Sequence, residues 1–249
     1  MAVQNAELVL YEHREGKWRS WLLSDWAGRF WLSPDRERIY FEGRGYRHLK
    51  QVECRPRAKP RSLPSIPPGN QIMNVFPQKE GLLILSHPSI GHIVGYNPRM
   101  PKKMWCWQEG WKTIEEVGTI PGDLEIGPFL PNARALLVWE PFTKYDSNRG
   151  EWVNINPRRP LIRMGLWSST NGKIRWTNLS CSSMPTPPTS LSVVYREQQP
   201  IPLLLIEDPK ANWTQIWGLD VTSLCVERIR HLKWVGRLWT WTPWKPCVS

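Results

Sequence analysis

Four cations, Arg55, Arg57, Lys59 and Arg61, alternate with Pro and Ala in the run RPRAKPR. Proline forbids helix here and holds the backbone extended, which throws the four side chains outward. Outward guanidinium and ammonium groups suit phosphate contacts or the groove of a nuclear import receptor. The alternative is a solvated linker. A second cluster, Arg158, Arg159 and Arg163, precedes an Asn171-Gly172 turn that adds Lys173 and Arg175. Arginine on a rigid hairpin reaches base edges or phosphates; on an outer sheet face it is only solvated. A third, Lys102 and Lys103, sits beside Trp105 and Trp107, cation next to aromatic.

The charge behind these clusters is uneven. The chain of 249 residues has 33 Lys and Arg against 22 Asp and Glu, a net charge of +11. Residues 1–61 and residues 134–180 each carry +5 of it. Such excess favours nucleic acid or an anionic membrane surface, and without an amphipathic lipid-binding helix nucleic acid is the expected partner. The 17 tryptophans are abundant beside 5 Phe and 6 Tyr. Flat rings among cations suit base stacking; buried, they only fill core.

One stretch has the opposite character. Ile206, Glu207, Asp208, Trp213, Trp217 and Asp220 mix acid with large apolar groups. That is the composition of activation segments that dock on a coactivator groove, or of an ordinary strand and loop.

Other chemistry finds no foothold. There is no Gly-rich phosphate loop, HExxH or nucleophile elbow, so no enzyme is expected. The five cysteines, Cys54, Cys106, Cys181, Cys225 and Cys247, are widely spaced, and His87, His92 and Cys106 fit no zinc spacing. Free thiols, no metal and no cofactor are expected. No run of about 18 or more apolar residues exists, and the start lacks an export pattern, so no membrane partner is expected.

The elements that must position these groups read as strands. With 24 Pro and 17 Gly spread through the chain, turns are frequent and long helices disfavoured. Residues 7–11, 18–23, 29–32 and 38–42 form an N-terminal β-meander, domain 1–54. Residues 55–70 form a basic, Pro-rich linker. Domain 71–181 is the β-rich DNA-binding part, with strands at 81–85, 92–96, 102–107, 135–140, 151–155, 161–167 and 173–176. Asn171-Gly172 is expected to close a type I′ hairpin. Residues 182–189 form a flexible joint, and 190–249 a C-terminal acidic and aromatic activation region with a strand at 202–206. Leu224, Ile229, Leu232 and Val235 lie on one face of a helix predicted over 222–235. The expected fold class is mainly β, antiparallel meanders in a sandwich-like arrangement, with a minor α component near the C-terminus; the alternative is α+β.

Trp139-Glu140-Pro141, Gly150-Glu151-Trp152-Val153, Pro157-Arg158-Arg159 and the apolar run 161–166 follow one another in an order that resembles the central part of the foamy virus (spumavirus) transactivators, Tas. Size and Trp-richness are similar to a non-primate member. The resemblance implies a regulator in the host nucleus that binds double-stranded viral promoter DNA, enters through a nuclear import receptor and recruits host transcription coactivators. The chain departs from the primate pattern in lacking a long acidic leader and a dense Arg-rich import signal. Two other readings compete: a retroviral accessory adaptor that binds a host restriction factor without touching DNA, and an RNA-binding protein with stacked Trp.

Overall fold

The computed structural model describes residues 6–43, 48–88, 100–146, 151–154, 161–180, 190–194, 201–208 and 213–233. They form antiparallel strands almost throughout. The chain divides into two compact units, 1–138 with 166–175, and 139–165 with 176–249.

The first unit begins with a long hairpin, β1 (Ala6–Arg14) and β2 (Lys17–Ala27), turned by Glu15 and Gly16 in left-handed conformation at φ 51° and 73°. Strands β3 (Phe30–Leu32), β4 (Arg38–Glu42), β5 (Leu49–Glu53) and β6 (Arg61–Ser62) then form a four-stranded sheet in chain order. A second sheet is built from β7 (Asn70–Gln78), β8 (Gly81–Pro88), β9 (Lys102–Gln108) and β10 (Glu115–Ile120), again in chain order. Gly81 opposes Gln108, and a Cβ there would stand 2.1 Å from the Trp107 carbonyl oxygen, so only glycine fits.

One apolar core joins these two sheets. Tyr40, Leu49, Leu63 and Ile66 pack with Ile72, Val75, Leu82, Ile84, Trp105 and Trp107. Two corrections follow. The stretch 55–70 is not a linker between domains, because β6 pairs with β5 and Leu63 and Ile66 are buried in the shared core. Proline blocks helix there, but it does not stop an extended segment from burying its apolar side chains. Nor does 81–85 pair with 92–96: β8 lies between β7 and β9, and 92–96 falls outside the described residues.

A third sheet has the order β11 (Glu125–Leu130), β12 (Ala135–Trp139), β15 (Leu161–Ser168), β16 (Ile174–Ser180). A single 3-10 turn, Pro131–Ala133, links the first two. The β13 (Thr143–Asp146) and β14 (Glu151–Asn154) hairpin lies between β12 and β15 in the chain. The Asn171-Gly172 turn exists but is not type I′. Ser168 and Lys173 close a four-residue loop, and only Gly172, at φ 66°, is left-handed.

The second unit carries a fourth sheet, β17 (Ser190–Val194), β18 (Leu203–Asp208), β19 (Trp213–Leu219) and β20 (Val226–Lys233), in chain order. Over 222–233, the described part of the helix predicted for 222–235, no helix forms. A loop closed by the Asp220 N–H donating to the Cys225 carbonyl at 2.9 Å turns the chain back, and Leu219 then pairs with Val226 and Ile216 with Arg230. The central strand β19 is buried on both faces, so its backbone groups need a partner strand. That requirement overrides a loose helical periodicity. A four-stranded antiparallel meander is the blade unit of β-propellers. The α component is thus withdrawn and the mainly β class stands. Among the described residues no helix is long and apolar enough to cross a membrane. The joint at 182–189 falls outside the described residues.

Candidate nucleic-acid interface

The β3–β4 turn is wired by its own side chains. The Ser33 hydroxyl donates to Asp35, the Arg38 N–H donates to Ser33 Oγ at 2.9 Å and the Glu37 N–H to Asp35 Oδ1 at 3.0 Å. These bonds, Ser33 first, hold the Asp35 carboxyl below its ordinary range. The turn presents Arg36 at φ 63°, a left-handed conformation uncommon for a residue with a Cβ. Opposite it, the Cys54 N–H donates to the Glu37 carbonyl at 2.7 Å and anchors the loop 54–60, where Arg57 is also left-handed at φ 60°.

Between turn and loop, over β4 and β5, lies an open cleft of about 900 Å³. Arg36, Arg38, Arg55, Lys59 and Arg61 line it, against Glu37, Glu53 and Glu109. Glu109 forms a bridge: it accepts from Arg38 and from Arg61, each at 2.6 Å, while Arg61 also donates to Gln51 at 3.0 Å. Arg61 and Arg38 hold the Glu109 carboxyl below the usual range. Arg55 pairs with Glu53. That leaves Arg36 and Lys59 on the cleft, with Arg57 beside them, making no ion pair among the described residues. Three cations without an ion pair, Arg36, Arg57 and Lys59, against one such carboxylate, Glu37, leave this described surface positively charged. By contrast Arg29 is fully used, donating to Glu42 at 2.5 and 3.2 Å and to the Ile72 carbonyl at 2.7 Å.

The sequence-predicted residues separate accordingly. Arg55, Lys59 and Arg61 line one cleft, with Arg57 in the same loop. Lys102 is a correction: it is 2% exposed, and its Nζ donates to the carbonyls of Gly122 and Leu124, at 2.9 Å for the latter. Burial pushes its pKa down. It stitches β9 to the 121–124 turn and meets no phosphate. Lys103 pairs with Glu116 at 2.7 Å and lies 5.4 Å from the Trp105 ring centroid. Arg163 is half-exposed, stacked 4.2 Å from the Trp176 ring centroid and 3.5 Å from Glu140. Lys173 and Arg175 are exposed. Arg158 and Arg159 fall outside the described residues.

The activation residues are also corrected. Ile206, Trp213 and Trp217 are buried at 0%, 2% and 8% exposure in the fourth sheet, and Trp217 donates its indole N–H to Gln215 at 3.0 Å. Glu207 is half-buried on β18 and has a partner, and the Asp208 side chain falls outside the described residues. Asp220 caps its loop, accepting from the Thr222 N–H at 2.8 Å and Ser223 Oγ at 2.6 Å. A tryptophan inside a sheet cannot present itself to a coactivator.

Arg36, Arg38, Gln51 and Glu109 escaped the sequence reading. The strands expected at 29–32 and 38–42 leave Arg36 in the turn between them, but Glu109 is 71 residues from Arg38 and announces itself by no local pattern. Among the described residues no group of three His, Cys, Asp or Glu side chains is placed to hold a metal. The thiols of Cys54 and Cys106 are pushed up by burial.

No family model and no curated protein matches the chain. Solved structures do resemble it. An oligogalacturonate lyase in complex with manganese aligns over 91% of this chain and 62% of its own, at 11% identity and a TM-score of 0.54. A protein described as a 6-phosphogluconolactonase of Bacteroides uniformis aligns over 82% and 54%, at 12% identity and TM-score 0.42. The periplasmic gluconolactonase of Pseudomonas aeruginosa aligns over 84% and 54%, at 11% identity and TM-score 0.37. The chain thus spans less than two thirds of the length of each. What is shared at such identity is the fold, and these neighbours are β-propeller-like enzymes. The expectation that the chain is no enzyme is corrected by the lyase, at TM-score 0.54: the fold it shares with this chain carries catalysis there, so the missing motifs do not exclude an enzyme.

Proposed function

We propose that the chain is a viral transcriptional transactivator of the foamy virus kind, which binds duplex promoter DNA in the host nucleus and recruits host transcription machinery. The observation that carries the reading is the cleft over β4 and β5. Arg36, Lys59 and the neighbouring Arg57 are held by a wired turn and loop and left without ion pairs, in a chain of net charge +11. Phosphates are the ligand for such a surface, and each neutralised phosphate releases counterions. The resemblance around Trp139–Arg159 supplies the promoter and the regulatory role. Coactivators and the import receptor belong to the same proposal, with the coactivator surface placed elsewhere than Trp213 and Trp217.

The test is binding to promoter duplex and to random duplex over a salt series. With four to six phosphates contacted, log affinity falls against log salt with a slope of about −4 to −5. A slope near zero contradicts the reading. The charge of the cleft also suits an acidic oligosaccharide such as the lyase's oligogalacturonate, so competition by that polyanion at equal charge is the control. DNA is the ligand if it wins.

A further inference from the structure

The Arg38–Glu109–Arg61 bridge has the form of an oxyanion site that the chain fills with its own carboxylate. Tyr40 opposes Gln51, and Gln51 opposes Arg61, so the three stand in one row across β4, β5 and β6. Arg38, two residues before Tyr40 on its strand, shares that face. Its guanidinium and that of Arg61 converge on Glu109, each at 2.6 Å. Arg61 is fixed by donating also to Gln51 at 3.0 Å, and Arg38 by donating to the Lys79 carbonyl at 3.1 Å. Glu109 belongs to the turn after β9. Its backbone is anchored by its N–H, which donates to the Glu80 carbonyl at 2.9 Å, but its side chain is 47% exposed. An exposed side chain on an anchored turn changes rotamer without disturbing the core.

Tyr40 is the unexplained member of the row. It is 0% exposed, and its hydroxyl has no hydrogen-bond partner among the described residues. An unpaired buried hydroxyl costs about 1–3 kcal/mol and calls for an acceptor. Burial pushes its pKa up, so it keeps its proton and remains a donor, while the charges of Arg38, Glu109, Asp35 and Arg61 act on it. The Glu109 carboxylate, planar and with two oxygens, engages the two arginines and leaves the hydroxyl unserved. A phosphate group is tetrahedral and has a third terminal oxygen. Charge separates the kinds of phosphate. Two guanidinium groups face one carboxylate, with Asp35 further off at 3.7 Å from Arg38. A phosphate monoester, with a charge of about −1.5 to −2 at neutral pH, matches the pair of arginines better than a singly charged diester does.

We propose that Arg38, Arg61 and Tyr40 form a binding site for a phosphate monoester, which Glu109 occupies until the ligand displaces it. The two guanidinium groups then hold two phosphate oxygens, and the Tyr40 hydroxyl donates to a third. The inference rests on the reading of the cleft as a phosphate surface and adds a preference for a terminal phosphate over the diester of a chain interior. The 5′-phosphate of a nucleic-acid strand and a small phosphate ester share this chemistry.

The full chain is titrated calorimetrically, at about pH 8 so that the monoester is a dianion, with phenyl phosphate, with its diester phenyl methyl phosphate and with benzoate. Phenyl phosphate should bind about 10-fold tighter than either of the others, the effect of one charge-assisted hydrogen bond. Glu109→Gln should tighten phenyl phosphate further, because the internal competitor is weakened. Tyr40→Phe should weaken phenyl phosphate several-fold, leave the diester unchanged and keep or raise the melting temperature, since the hydroxyl makes no bond in the free protein. Equal affinity for the two esters overturns the site, as does benzoate binding as tightly as phenyl phosphate. Weaker phenyl phosphate binding by Glu109→Gln also overturns it. A fall in melting temperature with Tyr40→Phe shows that the hydroxyl was bonded throughout and overturns its role. Duplexes with 5′-phosphate and with 5′-hydroxyl ends separate the sources: tighter binding of the first assigns the site to strand ends, equal binding to small esters. Salt-dependent binding of the 5′-hydroxyl duplex without discrimination among the small probes removes this site and leaves the duplex reading standing.

Discussion

Glu109 sets how much positive charge the cleft has to offer. Its carboxylate accepts from both Arg38 and Arg61 and is thereby held in its ionised form below the usual range. A carboxyl depressed on folding adds stability that is fully present above the unfolded pKa of a glutamate. That stability is lost as pH falls through the depressed folded value. The urea midpoint should therefore drop on acidification in that window, and Glu109→Gln should flatten this part of the profile. The same substitution frees two guanidinium groups. It should steepen the salt slope of duplex binding by about 1 to 2 and tighten binding at low salt. Lys102 behaves oppositely. Its two backbone acceptors are buried with it, so Lys102→Ala should cost about 1–3 kcal/mol in denaturant titration and leave the salt slope untouched. A change of slope would return Lys102 to the interface.

At the scale of elements, the C-terminal sheet is where burial decides. Trp213 lies on the central strand β19 at 2% exposure, and Trp213→Ala should lower stability by about 3–5 kcal/mol in chemical denaturation. An activation segment would lose only reporter activity and keep its stability. In β20, Arg230 faces Ile216 across the ladder. Arg230 is exposed on this edge strand, so Arg230→Ala should change stability by no more than about 0.5 kcal/mol in chemical denaturation. Much of this was legible in the sequence: residues 38–42 coincide with β4, and alternation located β1, β2, β9, β12 and β15 within a few residues. Elsewhere local pattern misled. The periodicity over 222–235 is satisfied equally by a loose helix and by an edge strand, and only the unpaired backbone of β19 chooses between them. The prolines of 55–70 spell an extended chain in both a linker and a core-lining segment. Leu63 and Ile66 tell the two apart only once the sheets that cover them exist. Lys102 next to two tryptophans looks like a cation–aromatic surface until the 121–124 turn closes over it.

For the molecule as a whole, charge and aromatic surface are divided among parts. In the first unit, the cleft presents cations on a fixed frame and the β1–β2 hairpin presents rings beyond the core. Of the six large apolar residues exposed among the described residues, Tyr11, Trp18, Leu22, Phe30 and Leu32 lie within the first 32 residues. Among the described residues the other tryptophans are buried or half-buried, and several satisfy their N–H inside, as Trp105 does by donating to Ser86 at 2.7 Å and Trp31 by donating to Asn74 at 2.9 Å. The basic loop 54–61, legible from its RPRAKPR run, gains its meaning from Arg36 and Glu109, which chain length separates and folding brings together. The central claim is that the cleft holds phosphate through its uncommitted cations. The direct measurement is the salt dependence of promoter-duplex affinity for the wild type beside the triple variant Arg36→Ala, Arg57→Ala, Lys59→Ala. All three side chains are exposed, so the variant should keep its melting temperature. The account predicts a slope shallower by about 0.9 for each cation that meets a phosphate, close to 3 in all. A variant that folds normally and binds with the wild-type slope would contradict it.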